Sequence, residues 1–132
     1  MIPSTATQLS ERIRVLIADD QPLFTEALSG ILAVDDRIEV IGTAKNGREA
    51  VDMAVSLTPD VTLMDISMPR MDGFEATRRI RRARPNACVL MLTGSDSRED
   101  INQARASGAA GYVTKDRLDE QLLGAILDLA PR

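Results

Sequence analysis

The chain has no histidine and a single cysteine, Cys88. Without histidine there is no Ser-His or Cys-His catalytic pair and no imidazole metal ligand. Any phosphohistidine in this protein's chemistry must therefore belong to another molecule. One cysteine excludes an internal disulfide and fits a reducing compartment, the cytoplasm. No apolar run approaches the ~18 residues of a membrane span, so no membrane partner is expected. The first ten residues lack the basic start and apolar core of a secretory signal. Lysine is scarce, two residues against fourteen arginines. Internal repeats, low-complexity tracts and linkers are missing. The net charge is −4 and the pI about 4.8, which argues against a general nucleic-acid binder.

What is present is an ordinary globular composition, 44% hydrophobic and 27% charged over 132 residues. That length makes one domain able to bury roughly two thirds of its unfolded surface. Residues 1–11 read as a flexible tail and 12–130 as the domain. Strand and helix patterns alternate five times. Short continuous apolar runs mark strands buried on both faces, at 12–18, 38–42, 61–64, 88–92 and 111–113.

Helical spacing follows each run. The first helix opens at Pro22 and carries Phe24, Ala27, Leu28 and Ile31. The second is capped by Asn46, with Glu49 three residues on and Ala50, Val51, Ala54 and Val55 as its buried stripe. The third runs from Phe74 to about Ala83 with Ala76, Ile80 and Ala83 on one side, and Asp72 as its cap. The fourth, Arg98 to Ser107, has only Ile101 and Ala104 as anchors and is expected to be the least firmly held. The fifth is defined by Leu118, Leu122, Ala125, Ile126 and Leu129. Five βα units with short connections imply an α/β three-layer sandwich around a parallel sheet. Periodicity leaves the strand order open.

Chemistry-bearing residues stand at the ends of the apolar runs. Asp19 and Asp20 follow the first, Asp65 the third, Thr93 the fourth, and Lys115 comes shortly after the fifth. In a parallel sheet all these positions fall on the edge where ligands bind. An order of 2-1-3-4-5 sets strands one, three, four and five side by side, so site and topology support each other. Three carboxylates make an oxygen site of the kind Mg²⁺ takes, and clustering them without a cation is costly. Asp65 is the candidate phosphoacceptor, because Mg²⁺ neutralises an incoming phosphoryl group and sets it for in-line attack by a weak nucleophile. Thr93 offers a hydroxyl, with room beside Gly94. Lys115 offers a compact ammonium in a chain that otherwise uses arginine. The Arg78, Arg79, Arg81, Arg82 and Arg84 cluster reads as a solvated helix face, and Lys45 as a solvated loop lysine.

At Leu-Ile-Ala-Asp19-Asp20, Leu-Met-Asp65-Ile-Ser-Met-Pro69-Arg-Met-Asp-Gly73, Leu-Thr93-Gly and Gly-Tyr112-Val-Thr-Lys115 the chain resembles the receiver domain of two-component response regulators, the CheY-like, flavodoxin-like fold. The likeness covers about Ile13 to Leu129. It implies that Asp65 takes a phosphoryl group from a sensor histidine kinase, so that the chain is a phosphoacceptor rather than an enzyme. It also implies that Asp19, Asp20, Asp65 and the backbone carbonyl of Ser67 surround Mg²⁺, that Thr93 and Lys115 contact the phosphoryl group, and that Thr93 and Tyr112 form a switch. Homodimerisation is a possible response.

Asp20-Gln-Pro-Leu-Phe, Glu75-Ala-Thr-Arg-Arg-Ile and Lys115-Asp116 look most like the NarL/FixJ subgroup of transcriptional regulators. DNA contact would then come through a C-terminal helix-turn-helix that these residues do not include. Asp116 stands where many receivers carry proline. Two other classes compete. A haloacid-dehalogenase-like phosphatase also uses an Asp nucleophile and Mg²⁺, but usually carries Asp-x-Asp after its first strand. A pseudo-receiver would act only as a binding scaffold.

Overall fold

The computed structural model describes residues 12–94 and 97–130. The expected flexible tail, 1–11, lies outside them. The elements run β1 (Ile13–Ala18), α1 (Pro22–Ala33), β2 (Ile38–Ala44), α2 (Gly47–Leu57), β3 (Val61–Asp65), α3 (Gly73–Ala83), β4 (Val89–Thr93), α4 (Arg98–Ser107), β5 (Gly111–Thr114) and α5 (Leu118–Leu129). A 3₁₀ turn, Lys115–Arg117, joins β5 directly to α5. The strands form one parallel sheet in the order β2-β1-β3-β4-β5. No helix among the described residues is long and apolar enough to cross a membrane.

Every residue of β3 and β4 is buried, which is why their sequences read as unbroken apolar runs. One sheet face, built on Val15, Ile17, Leu63 and Leu92, packs against Leu28 and Leu32 of α1 and Leu122 and Ile126 of α5. The other, built on Leu16, Met64 and Met91, packs against Ala50 and Ala54 of α2, Ala76 and Ile80 of α3, and Ala104 of α4. A bulge interrupts β1–β2 pairing between Val15 and Leu16, bringing Gly42 opposite Leu16.

The helix caps follow the sequence. Asn46 accepts from the Glu49 amide and Asp72 from the Glu75 amide, each at 2.9 Å. Ser97 caps α4 through the Asp100 amide. The stripes need correction. Val55 of α2 is 43% exposed, and Met53, with Val51, covers the core instead. Ala83 of α3 and Ala27 of α1 are not buried, whereas Leu32 of α1 is almost wholly buried. Alanine carries too little apolar area to fix which way a helix faces, so tertiary packing decides. α4 is anchored as thinly as expected, with Ala104 and Ser107 as its buried residues.

Candidate phosphoacceptor site

Strand register assembles the site. Ala18 pairs with Met64, so Asp19 and Asp65 emerge level at the sheet edge. Asp65 pairs with Leu92, placing Thr93 one step beyond it. Thr93 pairs with Thr114, placing Lys115 one step further again. Neighbouring strands are about 4.8 Å apart, so four strand ends bring these groups within reach of one another.

The carboxylates of Asp19, Asp20 and Asp65 each offer an oxygen within 4.8 Å of the others. Asp19 and Asp65 are buried and Asp20 is exposed, so the cluster opens to solvent on one side. Asp19 Oδ1 accepts from the Gln21 amide at 2.8 Å. Its other oxygen, Oδ2, is buried and accepts no hydrogen bond among the described residues. Such an anionic oxygen without a hydrogen bond, clustered with two further carboxylates, fits a hard divalent cation.

The Lys115 ammonium stands 3.2 Å from Asp65 Oδ1 and 3.6 Å from Asp19 Oδ2. Burial, and then the charge of Asp19, push the Asp65 carboxyl up to about 6, against the opposing pull of Lys115 and of the Ser67 amide. Asp65, Ser67, Thr93, Gly94 and Lys115 line an open cleft of about 300 Å³. A β-carbon on Gly94 would meet nothing within 4 Å, so the cleft has room there.

The loop after β3 is held by two close approaches, one to the end of β3 and one to the start of α2. A β-carbon on Gly73 would collide with the Asp65 carbonyl, and the Gly73 amide donates to the Ile66 carbonyl at 2.8 Å. A β-carbon on Gly47, at the start of α2, would collide with the Met71 carbonyl. Arg70 sits in the left-handed region at φ 70°, an uncommon conformation for a side-chain-bearing residue. These features fix the loop's path beside Asp65.

All the sequence-derived residues meet here except Tyr112. It lies on β5, 41% exposed, opposite Met91 of β4. Sequence reasoning missed several residues of the site, Asp100 and Phe24 among them. Asp100, in the first turn of α4, lines the cleft. Phe24, in the first turn of α1, places its ring centroid 4.2 Å from the Lys115 ammonium. Helical spacing assigns Phe24 to the apolar stripe alone, and no local signal distinguishes the two roles. The clustered arginines divide. Arg78 and Arg79 pair with Glu75 on an exposed face. Arg81 and Arg84 donate to the carbonyls of Ala87 and Ala54, serving the fold.

Comparison with known proteins agrees with this geometry. The family model for the response regulator receiver domain matches residues 15–127. The transcriptional regulatory protein YxjL of Bacillus subtilis is 40% identical over 116 residues, 88% of this chain and 53% of that protein. The protein-glutamate methylesterase/protein-glutamine glutaminase 1 of Pseudomonas fluorescens is 41% identical over 113 residues, 86% of this chain but 32% of that protein. The chain thus spans about half the length, or less, of these curated relatives. The receiver domain of the response regulator NarL from Mycobacterium tuberculosis superposes with a TM-score of 0.85 at 34% identity, covering 89% of this chain and 95% of that one. With a matching family model over most of its length and the same fold, the chain belongs to the receiver domains of two-component response regulators.

Proposed function

We propose that Asp65 is the phosphoacceptor, that Asp19, Asp20, Asp65 and the Ser67 carbonyl hold Mg²⁺, and that a sensor histidine kinase is the donor. The observation that carries this reading is the buried Asp19 oxygen, without a hydrogen bond, beside Asp65, with the Lys115 ammonium near both. When bound, Mg²⁺ supplies charge neutralisation for the phosphoryl oxygens. The chain's own groups do the rest. An ionised Asp65 oxygen attacks phosphorus in line. The new O–P bond forms as the N–P bond of phosphohistidine breaks, and its electron pair leaves on the imidazole. Lys115 pairs with the transferred oxygens as a point charge, and the Thr93 hydroxyl donates to another. The donor histidine must come from a partner, because this chain has none.

Residues 12–130 act as the unit. Its setting is the cytoplasm, and its output, by analogy with the transcriptional regulators it resembles, is control of a DNA-binding domain outside these residues. The switch runs from Thr93 to the α4–β5–α5 face. Drawing the Thr93 hydroxyl toward the phosphoryl group opens space behind it, which Tyr112 fills by turning inward, and α4 adjusts. Altered self-association or partner docking follows on that face.

Intact-mass measurement after incubation with acetyl phosphate tests the assignment. The expected result is addition of one phosphoryl group that requires Mg²⁺ and disappears in Asp65→Asn. Labelling that persists in Asp65→Asn or ignores chelation contradicts it. Turnover of phosphate monoesters would instead make the site a phosphatase, and absence of Mg²⁺ binding would leave a scaffold.

A further inference from the structure

We propose that Phe24 is a positioning residue for Lys115, its ring holding the ammonium over the Asp19–Asp65 pair for phosphoryl transfer. The inference rests on the phosphoacceptor reading above and assigns a role to a residue outside the polar site. Lys115 opens the 3₁₀ turn after β5, and its side chain must cross from that strand end to carboxylates on β3 and β1. A lysine stem is flexible, and its ammonium has no directional fork to lock it in place. Two carboxylates draw the ammonium toward β1 and β3. The Phe24 ring also meets it, with its centroid 4.2 Å from Nζ, well inside cation–π range. The electron-rich ring face attracts the charge without competing for its hydrogen-bond donors.

The ring is itself anchored. Phe24 packs against the core cluster shared by α1 and α5, whereas Leu23 beside it is 82% exposed. Pro22 at the helix start fixes the backbone that aims it. The Lys115 side chain is still 27% exposed, so the ring is what opposes a swing of the ammonium to solvent when its anions change. Arrival of a phosphoryl group makes that change. The ring contact does not depend on the anions and persists through transfer. A packing-only Phe24 would be replaceable by any apolar residue of similar size. A positioning Phe24 requires an aromatic face.

The test measures initial rates of intact-mass labelling by acetyl phosphate with Mg²⁺ for the unsubstituted chain, Phe24→Leu, Phe24→Tyr, Lys115→Met and the Phe24→Leu/Lys115→Met double variant. Phe24→Leu is expected to label about fivefold more slowly, and Phe24→Tyr to restore the rate. In the Lys115→Met background, Phe24→Leu is expected to have no further effect. An unchanged rate in Phe24→Leu, equal slowing in Phe24→Tyr, or the same fivefold loss in the absence of the ammonium overturns the proposal. NMR of the unsubstituted chain reads the contact even where a variant fails to fold. Upfield ring-current shifts of the Lys115 Hε protons support it, and ordinary shifts overturn it. If the unsubstituted chain does not label at all, the phosphoacceptor reading falls and this inference with it. Normal labelling that is insensitive to Phe24 removes this inference alone.

Discussion

The two faces of the sheet are built from different materials. The face under α1 and α5 is filled by branched aliphatics, among them Val15, Ile17, Leu28, Leu63, Leu92, Leu122 and Ile126. The face under α2, α3 and α4 is filled largely by alanine and methionine, with Ala44, Ala50, Ala54, Ala76, Ala104, Met64, Met68 and Met91. Branched side chains have few rotamers and pack in one way, while methionine adapts to irregular space and alanine lets helices approach closely. One face is therefore a rigid mount, and it carries Phe24. The other is adaptable and carries α4, whose buried residues are only Ala104 and Ser107. A switch at the shared edge has one side to push against and one side to move.

The comparison breaks most visibly under truncation. Leu122→Ala, on the rigid face, is expected to cost about 3 kcal/mol or more in denaturant unfolding. Met64→Ala, equally buried on the adaptable face, is expected to cost less, about 2 kcal/mol, because its neighbours can close around the gap. Equal costs would erase the distinction between the faces.

A second effect arises at the edge the faces share. Burial raises the Asp65 carboxyl to about 6 from its ordinary 3.8. The metal-free folded protein therefore binds this proton more readily than the unfolded chain. Ionised Asp65 destabilises the fold above pH 6, and that penalty is relieved as pH falls through 6 toward 4. The full penalty at pH 7 is about 2–3 kcal/mol. Unfolding measured in chelator from pH 7 to pH 5 is expected to show a gain in stability that Asp65→Asn lacks. The variant should be the more stable of the two at pH 7. Parallel pH profiles would mean that Asp65 is not strained by its surroundings.

A smaller effect tests how tightly the adaptable side meets the sheet. α3 begins at Gly73, where a β-carbon would collide with the Asp65 carbonyl. Gly73→Ala is expected to cost about 2 kcal/mol in unfolding and to weaken Mg²⁺ binding, because the loop carrying Ser67 must shift. Gly124 of α5, where an added β-carbon would meet nothing within 4 Å, provides the control on the rigid side. Gly124→Ala in that helix interior is expected to be stabilising by up to about 1 kcal/mol.

The sequence carries the sheet and the site in different ways. Unbroken apolar runs are legible because β3 and β4 are buried on both faces, and the acids at their ends are legible because a parallel sheet puts them together. Asn46 and Asp72 are legible as caps because capping is local chemistry. The faces of α1, α2 and α3 are not, since Ala27, Val55 and Ala83 fit a helical repeat yet stay outside the core. Their orientation depends on what lies opposite, as the displacement of Val55 by Met53 shows. The contact of Phe24 with Lys115 joins distant parts of the chain, and Asp100 reaches the cleft only through the tertiary placement of α4. Neither leaves a mark in local periodicity.

A phosphoryl group held at Asp65 is expected to act through α4, β5 and the outer side of α5, and not through the aliphatic packing beneath α1 and α5. Backbone NMR of the Mg²⁺-loaded protein with and without beryllofluoride, a phosphoryl mimic, tests this most directly. Shifts are expected at Asp65, Thr93 and Lys115 that extend through α4 to Tyr112, while the buried residues Leu28, Leu32 and Ile126 stay in place. Shifts confined to the cleft, or as large at the buried residues of α1 and α5 as in α4, would contradict that coupling.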